Sequence, residues 1–539
     1  MNIRYFLLLL LLTGAAGSSV RAQHPALPPP ADAPTQPART ELILDESNSE
    51  VHVQPLAADS SLVLLLGREQ AISSKTSFVF QRYDHDLRLR QEQALDVPTE
   101  FHFTRMCAEG ATVYALFSSR QTPGRLWVAA YRSSESQVHA QQFDTRLSRD
   151  IVELKALDGR LFATVLLNDQ QHVTALLLDV ATGQMQYLAA VYERLPTQLT
   201  FVADAASRRA EYVLSQTNGR KSRLLLKQLT DRGQLVSSEF VQAESERSLI
   251  TAQVTPPQDT SARLLMGTYS LRDPTYAQGL FATDLRPPVG SRAPLRFYDF
   301  LRLKHFFDYL KPSRQARLRR RTERRVARAV PPLRWHYRLL LHELLPQPDG
   351  GYVLVAEVYY PHYRYGSYSS YGGPFNNIGN QYGTSPYANS RVFDGYQTTH
   401  ALVCGFDRSG TLLWDNTFVV ENLRRYELEE AVRLQRLADG RLVLAYLEEE
   451  KLHYKLVRGA ETSPNDLQVS IQTTLPGHLP GSVERISNTS QADLLPWFGS
   501  RFVAMGYQRV RVERGRDREV FFLNAVVFGE KESASIPTR

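Results

Sequence analysis

Two short polar groups flank a long uncharged segment and carry the residue types of a reaction centre. Glu357, Tyr359, Tyr360, His362 and Tyr363 lead into it, and Asp394, Tyr396, Thr398, Thr399 and His400 lead out. Pairing of Tyr352-Val353-Leu354-Val355 with Ala401-Leu402-Val403-Cys404 as neighbouring strands would bring the two groups together. A carboxylate beside an imidazole can move a proton or hold a cation, so Glu357, His362, Asp394 and His400 are the catalytic candidates. The same side chains also suit the capping of loop backbone at a hairpin base, and no metal-ligand or catalytic spacing accompanies them. No metal or cofactor is expected. Leu341-His342-Glu343 lacks the second histidine of a zinc-protease helix and reads as part of an innermost strand. The sequence has no phosphate loop, dinucleotide fingerprint or serine nucleophile elbow.

The uncharged segment itself has the composition of a binding surface. Between Tyr365 and Ser390 it interleaves Gly, Ser, Asn and Gln with Tyr365, Tyr368, Tyr371, Tyr382 and Tyr387, and Tyr396 follows. Tyr offers a flat ring and a hydroxyl at low entropy cost, and small polar residues add adaptable hydrogen bonding. A low-complexity loop without a ligand has the same composition.

A second stretch binds by charge. Residues 311–328 hold nine Lys or Arg against one acid, a balance of +8 that exceeds the net +7 of all 539 residues. The segment reads as a helix from Ser313 to the residue before Pro331-Pro332, with Arg314, Arg317, Arg321, Arg324 and Arg328 on one stripe and Ala316, Val326, Ala327 and Val330 opposite. Such a stripe attracts envelope lipid, acidic polysaccharide or an acidic protein, and it can equally be a solvated face. Nucleic acid is not expected, because no DNA- or RNA-binding motif occurs. Before it, Phe300, Leu303, Phe307 and Leu310 recur at helical spacing and predict a short amphipathic helix, with Asp299 as N-cap and Pro312 as its stop.

The scaffold that positions these groups is a repeat of short strands. Ser61 to Leu66, Thr112 to Ser118, Leu161 to Leu167 and Arg223 to Leu229 are typical, and their spacing leaves no room for helices between them. Comparable hairpin turns, in which Asp and Gly recur, fall at Asp84, Ser134, Asp179, Asp231, Asp284, Asp407 and Gly459. Outside the long gap from Asp284 to Asp407 the steps are about 45 to 55 residues, the length of one four-stranded propeller blade. Asp179-Val-Ala-Thr-Gly-Gln-Met-Gln-Tyr187 and Asp407-Arg-Ser-Gly-Thr-Leu-Leu-Trp414 resemble the turn of quinoprotein-type repeats. The chain is thus similar to β-propeller proteins. The resemblance covers about residues 41–530 and implies an all-β ring of about eight four-stranded blades, with seven blades and a separate terminal hairpin as the alternative.

The last blade, ending at Val520 to Phe528, is one strand short, and Glu41 to Asp45 could complete it. Within a four-stranded meander, the connection leaving one outer strand and the next blade's second loop emerge on the same side. The basic insertion (299–332) and the Tyr/Gly-rich insertion (361–398) are therefore expected over one face of a single propeller domain spanning 41–530.

Arg4 followed by the apolar run Phe6 to Leu12 and by small residues reads as a signal peptide over 1–22, and the Pro-rich stretch 23–40 as an extended linker. Residues 531–539 form a tail. The expected location is periplasmic or extracellular, and no apolar run is long enough to cross a membrane as a helix. The two cysteines, Cys107 and Cys404, are read as separate buried thiols. Together these features favour a non-enzymatic binding or scaffold protein that uses the inserted face to hold an envelope component, glycan or protein. The alternative is an extracytoplasmic polysaccharide lyase or hydrolase, or a quinoprotein, with its site at the base of 361–398.

Overall fold

A strand that is apolar at every position has to bury both of its faces, and the strands of this chain do so between neighbouring sheets. The structure, a computed structural model, describes residues 33–529 except 70–75, 136, 147, 168–171, 194–196, 219–220, 244, 257–262, 287–293, 329, 331–332, 366–390, 422, 474–483 and 513–516. The described strands form eight antiparallel sheets. Seven are built from consecutive strands, and the first strands of successive sheets lie side by side, as the inner strands of a propeller do. The fold is an eight-bladed β-propeller, with blades 1 to 7 in chain order spanning 49–95, 101–144, 148–187, 197–241, 248–299, 338–425 and 433–470, and blade 8 spanning 484–527.

Blade 1 shows how the sequence builds the ring. In Ser61–Glu69, Val63 and Leu65 pack with Phe101, Phe117 and Trp127 of blade 2, whereas Leu62, Leu64 and Leu66 pack with Trp497, Val503 and Leu523 of blade 8. Side chains alternate across the pleat, so each strand contributes to two inter-blade cores. Eight apolar clusters fill the eight gaps. Burying each Leu, Val or Phe contributes about 1.5–3 kcal/mol, which makes these gaps the main source of stability.

The turns that set the sequence period join third strands to fourth strands. The Asp84 carboxylate accepts from the backbone of Asp86 and Arg88, Asp179 from Ala181 and Thr182, and Asp407 from Ser409 and Thr411. Gly183 and Gly410 take φ of 71° and 76°, where a side chain would be strained.

Blade 8 combines Glu484–Pro496, Arg501–Val512 and Arg518–Val527 with the N-terminal strand Thr35–Ile43 as its outer member. The closing strand begins at Thr35, within the stretch read as linker. Pro37 is accommodated because a register irregularity falls between Thr35 and Ala38. The Gln36 side chain accepts from the Gln472 backbone and donates to that of Ser470, tying the strand to the end of blade 7. Residues 1–22 and 531–539 lie outside the described residues.

The expected helix over 300–310 is not formed. Asp299 caps a single 3-10 turn, Phe300–Arg302, and accepts from the Leu301 amide. The Asp415 carboxylate then accepts from the amides of Lys304 and His305, which draws both out of any helical ladder. Phe300, Leu303, Phe306 and Phe307 are all buried between blades 5 and 6, so the segment is held there by its apolar residues without forming a helix. The second helix does form: α1 spans Pro312–Ala327, with proline at its first position and Arg324 and Arg325 in its last turn, where cations suit the helix dipole.

Blade 6 carries both insertions. Its strands Arg338–Leu341, Tyr352–Tyr365, Arg391–Phe406 and Leu412–Val419 are antiparallel neighbours. The chain leaves the outer strand of blade 5, Arg296–Asp299, at the same end as the tip of the Tyr352–Tyr365/Arg391–Phe406 hairpin. Tyr309 of the first insertion stacks on His400 at the hairpin base, with ring centroids 4.0 Å apart.

Candidate functional site

The four acid/base candidates do not share a pocket. In the register of the hairpin, Val358 faces His400 and Glu357 faces Ala401, so Glu357 and His400 point to opposite faces of the blade. Glu357 is 1% exposed and looks toward blade 7. Its Oε1 lies 2.8 Å from His342 Nε2 and accepts from the amides of Ala431 and Val432, each at 2.8 Å. Glu357 therefore caps the chain entering the first strand of blade 7. Burial alone would lower the His342 pKa, but the carboxylates of Glu430 and Glu357 outweigh it and hold the imidazole above its ordinary value.

His400 is fully buried. Tyr309 stacks on it, Phe306 and Tyr337 meet it edge-on, and Nδ1 lies 3.0 Å from the Thr399 hydroxyl. Burial pushes its pKa down to about 3 from an ordinary 6.5, so the folded protein keeps the ring neutral. Because the unfolded chain takes up this proton first, the contribution of His400 is complete above about pH 6.5 and is lost as the pH falls toward 3. Acidification from about pH 6.5 to about pH 4.5 is expected to cost roughly 2–3 kcal/mol through this residue. Urea unfolding of the protein and of His400→Leu at the two pH values checks this: the variant should lose that part of the pH dependence, and equal dependence would contradict it.

His362 and Asp394 do meet, beyond the blade, where the hairpin extends past its inner neighbour. His362 Nδ1 is 3.3 Å from Asp394 Oδ2, Arg424 Nη1 donates to the same oxygen at 2.5 Å, and Arg364 approaches at 4.0 Å. Arg424 and Arg425 form a short strand along Gln397 and Tyr396. The segment continues across the ring, where Glu427 and Glu429 pair with Arg105 on the first strand of blade 2 at 3.0 and 3.3 Å. This cluster is an ion-paired hairpin root, stabilised chiefly by its guanidinium contacts.

The other face of the same hairpin is aromatic. Tyr359, Tyr396, Phe393 and Tyr363 follow one another with ring centroids 5.7, 5.1 and 5.9 Å apart. Tyr363 is 47% and Phe393 42% exposed. Of the tyrosines read as a binding surface, Tyr396 thus belongs to a described ladder. Tyr365 ends the strand, and Tyr368, Tyr371, Tyr382 and Tyr387 lie outside the described residues.

The arginine helix packs differently from the sequence pattern. Leu318 seats on the core between blades 5 and 6, and Arg319 donates to the Lys304 carbonyl. Ala316 and Val330, expected on the opposite face, instead join Ser313, Arg317, Arg320, Arg321, Arg324, Arg325 and Arg328 around a space of about 700 Å³. Arg314 stands outside this lining. Arg317, Arg320, Arg321, Arg324 and Arg328 make no ion pair among the described residues. Arg317 to Arg328 covers roughly 17 Å of helix.

His342 and Arg424 were not singled out by the sequence for a part in this region. Their partners are 15 and 30 residues away, and no spacing rule connects them. Among the described residues, no group of three or more His, Cys, Asp or Glu could hold a metal ion, and no helix is long and apolar enough to cross a membrane.

No protein-family model matches the chain, and no curated protein matches it. Solved structures do. The polysaccharide lyase Uly1 is similar at 8% identity, covering 79% of this chain and 90% of that one, with a TM-score of 0.39. The β-propeller domain of the trilobed protease from Pyrococcus furiosus is similar at 6% identity, covering 78% and 96%, with a TM-score of 0.34. A prolyl endopeptidase is similar at 9% identity with a TM-score of 0.37, and the chain spans 54% of its length. The fold assignment rests on the eight sheets themselves.

Proposed function

We propose that this is an exported, non-enzymatic binding or scaffold protein that holds an anionic envelope component, glycan or protein on its inserted face. The observation that carries the reading is the outer side of α1, where five arginines without ion-pair partners among the described residues line one space. Arginine forks bind carboxylate and phosphate in pairs of hydrogen bonds, and a face left without protein acids is a face for outside anions. The enzymatic alternative would use Glu357, His362, Asp394 or His400; Glu357 and His400 lie on opposite faces of blade 6, and His362 and Asp394 meet in a cluster already occupied by Arg424.

Retention of the purified protein on immobilised polyanion, eluted with salt, tests the site. Changing Arg317, Arg321, Arg324 and Arg328 together to Gln is expected to weaken binding at low salt by at least about tenfold. Equal retention of parent and variant would sink the reading. Export is tested by fractionating expressing cells with and without residues 1–22: protein in the soluble cytoplasmic fraction in both cases would rule it out.

A further inference from the structure

We propose that the anion held by α1 is a linear acidic polysaccharide, laid lengthwise along the helix so that successive carboxylates meet successive turns. This rests on α1 being an anion site. The shape of that site selects a chain over a compact anion, and its composition selects the kind of chain.

The inner side of the helix is fixed and its outer side is free. Gln315, Leu318, Arg319 and Thr322 are half-buried, whereas Arg317, Arg320, Arg321, Arg324 and Arg328 are exposed. Leu318 sits on the core, Gln315 donates to the Leu310 carbonyl at 2.9 Å, and Arg319 donates to the Lys304 carbonyl at 2.7 Å. These contacts hold the outer arginines in two neighbouring rows. Arg320, Arg324 and Arg328 recur every fourth residue, with Arg317 and Arg321 beside them, and each step advances about 6 Å along the axis. Like charges at this spacing repel, and an anion lying along the rows relieves the repulsion. Among the described residues, α1 and Val330 alone line the space. A compact anion would therefore reach the arginines of about two turns, whereas an extended one reaches all five.

The composition of the face narrows the chain. α1 contains no aromatic residue, and the apolar residues that share its outer side are Ala316 and Val330. Single-stranded nucleic acid stacks its bases on aromatic rings, a protein partner buries aromatic or aliphatic anchors, and a helix lying in a membrane surface buries a broad apolar face. This face offers none of the three. A ligand held by its charges remains, and the spacing of the rows decides among such ligands. Each strand of duplex nucleic acid carries a charge about every 3.4 Å, closer together than the steps between these arginines, and polyphosphate carries one on every phosphorus. A uronate chain sets a whole sugar ring between successive carboxylates. Each carboxylate can then take a pair of hydrogen bonds from a guanidinium of its own.

The test is equilibrium binding of the full chain to galacturonate dimer and hexamer, and to polyphosphate, single-stranded DNA, polyglutamate and phosphatidylglycerol vesicles at charge matched to the hexamer. Three proteins are compared: the parent, the Arg317→Gln/Arg328→Gln pair that shortens the rows at both ends, and the four-arginine variant. The altered positions are exposed, and circular dichroism with thermal unfolding verifies that the variants fold. The expected result is that the hexamer binds tightest, at least about tenfold tighter than the dimer. The end pair weakens the hexamer about tenfold while changing the dimer less than about twofold, because Arg320, Arg321 and Arg324 still serve the dimer. If the dimer binds as tightly as the hexamer, or the end pair weakens both alike or neither, the lengthwise assignment is overturned while the anion site stands. If polyphosphate, DNA, polyglutamate or vesicles bind as tightly as the hexamer, the polysaccharide assignment is overturned. If no polyanion binds, or the four-arginine variant is unchanged, the anion site falls with it.

Discussion

Replacing Glu357 with Ala is expected to destabilise the propeller by about 3–5 kcal/mol, the cost of removing one partner from a buried, hydrogen-bonded charge cluster. The carboxylate is the acceptor for His342 and for the amides of Ala431 and Val432, and none of these groups has water to turn to. The loss would fall on the junction of blades 6 and 7, loosening the segment that crosses to Arg105. Glu357→Gln keeps the shape and one acceptor and should cost less. The His342 pairing also has a pH signature. Its pKa is raised, so its contribution is complete below about pH 6.5 and is lost as the pH rises through the folded value, the reverse of His400. Glu357→Ala should weaken that dependence. Thermal and urea unfolding of the three proteins decide the matter, and a loss below about 1 kcal/mol for Glu357→Ala would show that the cluster carries little.

Arg39→Ala is expected to have an effect of similar size, about 3–5 kcal/mol, because Arg39 locks the strand that closes the ring. Its guanidinium bonds to Glu41 at 2.7 and 2.9 Å, to Gln508 at 2.9 Å, to Asn524 at 3.0 Å and to the Gln472 carbonyl at 2.8 Å, and lies 5.0 Å from the Phe522 ring. Its side chain is 1% exposed and that of Glu41 5%. Without it, Gln508 and Asn524 lose a buried donor, and Glu41 is left with Arg518 at 3.1 Å among the described residues. Release of Thr35–Ile43 would uncover the Arg518–Val527 strand as an open edge, a template for aggregation. The expected readouts are a lower unfolding midpoint and early proteolysis within 33–43. A variant as stable and as protease-resistant as the parent would mean the ring is held by its inter-blade cores alone.

The parts legible in the sequence are those governed by local rules. Asp84, Asp179 and Asp407 each cap their own turn, so the blade period could be read from them without any tertiary knowledge. Pro312 and the charge of 313–328 likewise mark a helix locally. What was not legible depends on distant partners. Residues 300–310 have helical spacing, but Asp415, more than a hundred residues away, takes the amides a helix would need. His342 reads as a strand residue until Glu357 and Glu430 are placed around it. The start of the closing strand was obscured by Pro37, which is tolerated only because the register breaks beside it. At the candidate site, the composition marked both insertions but could not say which arginines face outward. Leu318 settles that by packing inward, a preference that Ala316 and Val330 had seemed to oppose.

Hydrogen exchange with and without saturating polygalacturonate tests the central claim, that the inserted face binds its ligand along α1. The account predicts slowed exchange in Pro312–Ala327, with the turns at the opposite ends of the blades, such as 109–112 and 157–160, unchanged. Protection confined to those opposite turns, or none in α1 under conditions where the ligand is bound, would contradict it.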